Sequence, residues 1–262
     1  MSTLYIDRKD LELRAEGQHL ALYEKGERRS TVPLTLVERV VIRGQASLST
    51  GVLTLLADEG IGLCVLTGRH SRHAATLLGK PHGDADRRIA QYRWYYESTE
   101  RLRLARLLVL AKLRASLRFL ERAERRRPDQ RLPLHKGRET LRGLMRTLAD
   151  PGGAATPLDL SRLNGLEGAG GAAHFAAYAA LLPEALGFTA RNRRPPRDPV
   201  NAALSLAYTL LHFDAVGAAH AAGLDPMVGF YHEPAYSRAS LASDLIEPLR
   251  PKVDEWVWRL FA

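Results

Sequence analysis

Residues 89–127 contain neither proline nor glycine. Within them Leu107, Leu110, Leu113, Leu117 and Leu120 recur at spacings of three and four, while Arg103, Arg106, Arg114, Arg118 and Arg122 take the other faces. That period predicts one long amphipathic helix, closed by Pro128 because proline cannot continue a helix. A second basic helix is expected over 136–148, and Pro151-Gly152-Gly153 marks 150–157 as a loop. The stretch ahead of the long helix has the opposite character. Short apolar or alternating runs at 4–6, 11–13, 19–23, 31–34 and 40–42 read as strands separated by turn residues. A helix over 49–58 interrupts them, and the run at 61–66 reads as a buried strand. The expected architecture is α+β: a small, β-sandwich-like N-terminal domain over 1–80, a linker over 81–90, and a larger all-helical C-terminal domain over 91–262.

The positive charge is concentrated. The chain of 262 residues carries a net charge of +9. Residues 1–86 hold 11 basic and 11 acidic side chains, whereas residues 87–146 hold 18 basic and 6 acidic ones, mostly arginine against few carboxylates. The planar guanidinium matches phosphate, and such a segment predicts salt-sensitive affinity for a nucleic-acid backbone. The single cysteine, Cys64, excludes an internal disulfide framework and a thiolate zinc site. The N-terminus has no signal-peptide pattern and no segment approaches the ~20 apolar residues that span a bilayer. A cytoplasmic protein without a membrane partner is therefore expected.

Four later stretches carry the chemistry. Residues 163–178 read L-N-G-L-E-G-A-G-G-A-A-H-F-A-A-Y. Glycine costs about 1 kcal/mol against alanine inside a helix, so Gly168, Gly170 and Gly171 predict that something approaches the backbone closely. Helical spacing places Glu167, Gly171, His174 and Tyr178 on one face. The arginine-proline loop R-N-R-R-P-P-R-D-P then leads, through Asp198 as cap and Pro199 as first residue, into an apolar helix with a polar stripe of Asn201, Ser205, Tyr208 and His212. His232 lies in an ordered G-F-Y-H-E loop. Asp244 and Glu247 share one face of the helix that follows. Oxygen ligands with one imidazole suit Mg²⁺ or Mn²⁺, and a hard cation beside arginines is equipment for phosphodiester chemistry.

The motifs L-x-x-L-E-G-A-G, R-N-R-R-P-P-R-D-P-V-N-A-A-L-S-L-A-Y-T-L-L, G-F-Y-H-E and S-L-A-S-D-L-I-E-P-L-R-P, in this order, closely resemble those of the CRISPR-associated protein one family, the integrase of prokaryotic adaptive immunity. The resemblance covers essentially the whole chain, although the family usually continues through further helices past the stretch that ends here at Ala262. It implies a metal-dependent DNA endonuclease and integrase that joins the 3′-hydroxyl ends of short foreign DNA into a CRISPR repeat by transesterification. It implies Glu167, His232 and Glu247 as ligands of Mg²⁺ or Mn²⁺ and Asp244 as their support. Arg193, Arg194 and Arg197 resemble its DNA-contacting loop, and Asn201, Ser205 and Tyr208 the polar stripe beside the site. His174 matches no required position and is expected to be structural. Expected partners are DNA (protospacer and repeat), a second copy of the chain, and the companion CRISPR-associated protein two. Two other readings stay open on the residues alone: a general metal-dependent nuclease on branched DNA, and a non-catalytic basic DNA-binding scaffold.

Overall fold

The structure is a computed structural model, and it describes residues 2–67, 72–79, 83–149, 158–193 and 195–262. Arg194, the loop expected over 150–157, residue 80 at the end of the expected N-terminal domain and residues 81–82 of the expected linker lie outside the described residues. The chain forms two compact units. One comprises 1–87 together with 216–224, the other 88–215 together with 225–262.

The first unit contains two four-stranded sheets. One has the order β1 (Ser2–Ile6), β5 (Val37–Arg43), β7 (Gly62–Thr67), β8 (Arg72–Leu77); the other runs β4 (Glu27–Pro33), β3 (His19–Glu24), β2 (Leu11–Glu16), β6 (Ala46–Leu48). Lys25 and Gly26, both at positive φ, close the two-residue hairpin between β3 and β4, the geometry that follows the twist of the flanking strands. Both sheets are mixed. β1 and β7 flank β5 in parallel, and β6 joins β2 in parallel. One apolar core takes Ile6, Val40 and Ile42 from the first sheet, Leu13 and Leu20 from the second, and Val52 and Leu56 from α1 (Thr50–Asp58). Two faces buried against each other make the sandwich-like unit the sequence suggests. β6 and β8 carry no distinct apolar period, and the sequence reading missed both.

The second unit is helical: α2 (Asp86–Tyr96), α3 (Ser98–Arg126), α4 (Arg131–Ala149), α5 (Leu160–Ala179), α6 (Pro199–Ala221), α7 (Ser240–Ile246) and α8 (Arg250–Phe261). The single helix expected over 89–127 is two helices, because Glu97 leaves the helical region at φ −78° and ψ 99°. The break has a use. Behind it, Arg101 lies over the Tyr95 ring, donates to the Phe230 carbonyl at 3.1 Å and pairs with Glu233. Ahead of it, Gln91 donates to the Asp225 and Val228 carbonyls at 2.9 and 2.8 Å and accepts from the Asp225 N–H. The two helices thus clamp the loop that carries His232. Most of the leucine stripe of α3 is buried: Leu110, Leu113 and Leu120 join Leu134, Leu141, Leu163, Tyr178, Leu204 and Trp258 in one core, Leu117 packs against it, and Leu107 at the stripe's start stays half exposed.

Two expectations are corrected here. Of Gly168, Gly170 and Gly171, Gly170 alone is forced by close approach: a Cβ there would overlap Leu113, while Gly168 and Gly171 face open space. The second concerns bilayer-length segments. α6 is apolar and long enough to meet the length and composition of a membrane span, with a mean hydropathy of 1.3. Its Val200, Leu204 and Tyr208 nevertheless pack in the helical core, and its Asn201, Ser205 and Tyr208 are bonded to protein groups.

Candidate active site

Three elements far apart in sequence present the expected ligands. Glu167 stands in the third turn of α5, which opens with the Asp159 carboxylate accepting from the Arg162 N–H at 2.7 Å, the usual way of satisfying a free helix-start donor. His232 sits in the loop held by α2 and α3. Glu247 opens the single 3-10 turn (Glu247–Leu249) between α7 and α8, with Pro248 fixing the change of direction. All three side chains line one cavity of about 330 Å³.

Asp244 organises this arrangement without lining the cavity. It is fully buried. Its carboxylate accepts the backbone N–H groups of Phe230, Tyr231 and His232 at 2.6, 2.9 and 2.9 Å, and faces His232 Nδ1 at 2.8 Å. A carboxylate at Nδ1 makes that nitrogen the donor of a neutral imidazole and leaves the Nε2 lone pair for a ligand, the arrangement that orients histidine toward metals. Gly229 makes the approach possible: a Cβ there would stand 2.7 Å from the Ser240 backbone and 2.8 Å from the Asp244 carboxylate.

Between the two glutamates lies a cation. Lys112 on α3 donates to Glu167 Oε1 and to Glu247 Oε2, the latter at 2.5 Å. Arg250 binds the other oxygen of Glu247 at 2.8 Å. Burial alone would push the Glu247 carboxyl up, but Lys112 and Arg250 outweigh it and hold it below the usual carboxylate range. Tyr231 donates to Glu167 Oε2 at 3.4 Å, and burial together with the two glutamates pushes its hydroxyl far above the ordinary phenol range, so it remains a donor. Among the described residues, no three His, Cys, Asp or Glu groups stand ready around one ion. The expected three-ligand cluster is therefore not preassembled. The three residues share a cavity, with an ammonium in the place a metal would take. That ammonium is a stand-in that tests the donor set: two carboxylates already grip one cation, and an imidazole with an uncommitted nitrogen lines the same space. Such donors fit a hard divalent ion.

Arg191, Arg193 and Arg250 also line the cavity. Arg191 donates to Asn201 Oδ1 at 2.7 Å and to Ser205 Oγ at 3.0 Å. Arg191 and Arg250 both lie over the Tyr208 ring, at 5.5 and 4.5 Å from its centre. Burial pulls the Arg191 guanidinium below its ordinary value. Tyr208 donates to Asp254 Oδ1, the other Asp254 oxygen meets His174 Nε2 at 2.8 Å, and Tyr178 donates to the Asp254 carbonyl. Of the residues expected to touch nucleic acid, Arg193 and Arg197 are exposed and Arg193 lines the cavity; Arg194 lies outside the described residues. Asn201 departs from that expectation. It is fully buried, and its side chain bonds the Asn192 N–H, the Ala190 carbonyl and Asp198, so it shapes the arginine loop from behind. Ser205 and Tyr208 likewise support Arg191. His174, expected to be structural, is nearly fully buried and also borders this cavity. The sequence reading missed Lys112 and Asp254. Lys112 had a signal: it is the one lysine in the arginine-rich α3, and it stands one helical turn from Leu108 and Ser116 on the inner side. Asp254 had none, since an aspartate in a charged amphipathic helix looks like surface.

A family model described as "CRISPR associated protein Cas1" matches residues 4–262. The chain belongs to the Cas1 family. A Cas1 relative named "CRISPR-associated endonuclease Cas1 1", from Thermodesulfovibrio yellowstonii, is 37% identical over 261 residues, which cover all of this chain and 80% of that protein. Among Cas1-like folds, a casposase bound to integration product superposes with a TM-score of 0.82 at 22% identity, over 100% of this chain and 73% of the other. The Cas6-RT-Cas1–Cas2 complex contains a chain that matches with a TM-score of 0.74 at 22% identity, over 99% of this chain and 28% of that one. At these identities the two structures establish the shared Cas1-type fold.

Proposed function

We propose that this protein is a metal-dependent DNA endonuclease and integrase of CRISPR adaptation, which joins the 3′-hydroxyl ends of short DNA to a CRISPR repeat by direct transesterification. One observation carries the reading: Glu167 and Glu247, 80 residues apart in sequence, grip a single cation in a cavity that Arg191, Arg193 and Arg250 also line. Glu167, Glu247 and His232 Nε2 would hold Mg²⁺ or Mn²⁺. When bound, such an ion polarises the phosphoryl oxygens and favours ionisation of the attacking hydroxyl.

The side chains supply the rest. Arg193 and Arg197 hold the DNA backbone at the mouth, with Arg194 assigned to the same loop by family resemblance. Arg191 and Arg250 offset the charge that builds on the phosphorus centre, while Asn201, Ser205 and Tyr208 keep Arg191 in place. Asp244 orients the His232 ring. In the step itself the 3′-oxygen bonds to phosphorus and loses its proton, the bond from phosphorus to the repeat strand's 3′-oxygen breaks, and that oxygen takes up a proton. The number of phosphodiester bonds is unchanged, so no external energy source is needed. DNA, a second copy of the chain and Cas2 are the partners we assign, in the cytoplasm where the array resides.

A strand-joining assay with a labelled short duplex, a supercoiled repeat plasmid, Cas2 and Mn²⁺ tests the proposal. E167Q should lose joining by at least about 10³-fold, the scale of removing one charged group from a catalytic site, with DNA retention on a filter changed less than threefold. Joining by E167Q at the wild-type rate, or wild-type joining that ignores the metal, would leave a basic DNA-binding scaffold as the correct reading.

A further inference from the structure

The mechanism above leaves Lys112 without a task. Its position is unusual on physical grounds. Only about a sixth of its side chain is exposed, and its ammonium bonds both glutamates, which are themselves 20% and 7% exposed. Two carboxylates this close repel one another, and a partly buried pair of like charges needs a counter-charge between them. The three-residue set Glu167–Lys112–Glu247 thus places two negative charges around one positive one and keeps one net negative charge, with Arg250 adding a second positive contact from outside. A divalent cation held by the same two carboxylates has to occupy the space of the ammonium. Lys112 and the metal cannot both take these oxygens at short range.

We infer that Lys112 is a displaceable internal counter-ion: it holds the two glutamates at ligand spacing until a divalent cation replaces it, and the released ammonium then turns to the phosphate of the incoming DNA. The inference rests on the metal-site reading given above. It has a consequence for linkage. Without metal, the lysine charge is neutralised by Glu167 and Glu247 and offers little to an anion. With metal, the same charge lies free in a cavity that also holds Arg191, Arg193 and Arg250. Metal and DNA therefore strengthen each other's binding through one side chain, and by thermodynamic necessity the coupling is equal in both directions. Until metal binds, Lys112 acts through the carboxylates as a positioning residue; once released, it meets the DNA phosphate. Lysine suits the part better than arginine, because its ammonium is a compact charge on a flexible stem that can swing without breaking a planar, two-pronged pairing.

The test measures Mn²⁺ binding directly, by the electron paramagnetic resonance signal of the free ion, in the protein alone and in the protein with a short duplex. K112M, with the charge removed and the stem kept, should bind Mn²⁺ more tightly than wild type, by on the order of tenfold, the scale of one close charge contact near a protein surface. Added DNA should tighten Mn²⁺ binding in wild type, and that gain should shrink at least threefold in K112M. K112R keeps a cation beside the glutamates and guards against a folding defect in K112M; it should bind Mn²⁺ no more tightly than wild type. Mn²⁺ affinity in K112M equal to or weaker than that of wild type overturns the inference. So does an undiminished DNA-induced gain. E167Q separates the two readings. If Mn²⁺ binding by wild type is unaffected in E167Q, the metal site itself is misplaced. If E167Q loses Mn²⁺ while K112M gains nothing, only the role of Lys112 falls.

Discussion

Two buried aspartates each hold one histidine in the helical unit, and they do it for different ends. Asp244 receives three backbone N–H groups from the 230–232 loop and meets His232 at Nδ1. The ring it orients is 29% exposed and lines the cavity. Asp254 receives the Tyr208 hydroxyl and meets His174 at Nε2, and that ring is 4% exposed. His174 packs against Phe119, Phe175 and Tyr178, and its Nδ1 is buried without a partner. The first pair spends a rigid loop on presenting a nitrogen. The second borders the same cavity but keeps its imidazole buried in a short polar network. A histidine beside an aspartate is thus no sign of function by itself; what separates the two is whether the remaining nitrogen has somewhere to reach.

The largest effect should come from cutting the first pair at its base. D244A removes the acceptor of four donors, three of them backbone groups with no other partner, and should cost about 3–5 kcal/mol of stability, since losing one member of a buried charged network leaves the others unsatisfied. Chemical denaturation reads the loss, and a cost below 1 kcal/mol would mean the loop is held by other contacts. Exchanging the two histidines sharpens the contrast. H232A should keep the fold while weakening Mn²⁺ binding about 10–100-fold, the range for losing a metal-site group. H174A should leave Mn²⁺ affinity within threefold yet lower stability by about 2–4 kcal/mol, because it opens a cavity among aromatics and strips Asp254 of a partner. Equal Mn²⁺ loss in both variants would erase the distinction.

The two sides of α5 offer a smaller test. G170A forces a methyl into Leu113 and should destabilise by about 1–3 kcal/mol. G171A meets open space and should gain up to about 1 kcal/mol of helix stability, while narrowing the cavity and slowing strand joining. Thermal melts and the joining assay together read both. The smallest effect concerns pH. Burial would raise the Glu255 carboxyl, but Arg122 and Arg259 hold it below the ordinary carboxylate value of 4.5. A depressed folded-state value means the pairing contributes stability above pH 4.5 and loses it as pH falls through the lower folded value. E255Q should therefore be less stable than wild type by about 1 kcal/mol at pH 7, with the gap closing toward pH 3. A gap that persists at pH 3 would assign the effect to packing.

What could be read from the sequence follows the range of the interactions. The leucine period of α3, the cap at Asp198 and the hairpin at Lys25-Gly26 are local, and each was legible. The motifs also singled out Glu167, His232 and Glu247, which the fold gathers around one cavity, and Asp244, which holds the His232 loop. The break at Glu97 was not legible: no proline or glycine marks it, and the contacts that stabilise it run to Phe230 and Glu233, some 130 residues away. Asn201 was expected to touch nucleic acid by its place on a polar stripe, and only the fold of the 190–198 loop over it makes it a core residue. Lys112 looked like one more basic side chain in a basic helix, because the carboxylates that define it come from α5 and from the turn after α7.

Gly229 sets a limit on how this catalytic region can be altered. Arginines at the mouth can be exchanged by library mutagenesis with graded effects, but any substitution at 229 drives a carbon into the Ser240 main chain and into the carboxylate that gathers the loop. A selection for altered target choice that sampled every position around the centre should recover diversity at 193 and 197 and a single amino acid at 229, a fixed point around which retargeted variants have to be built.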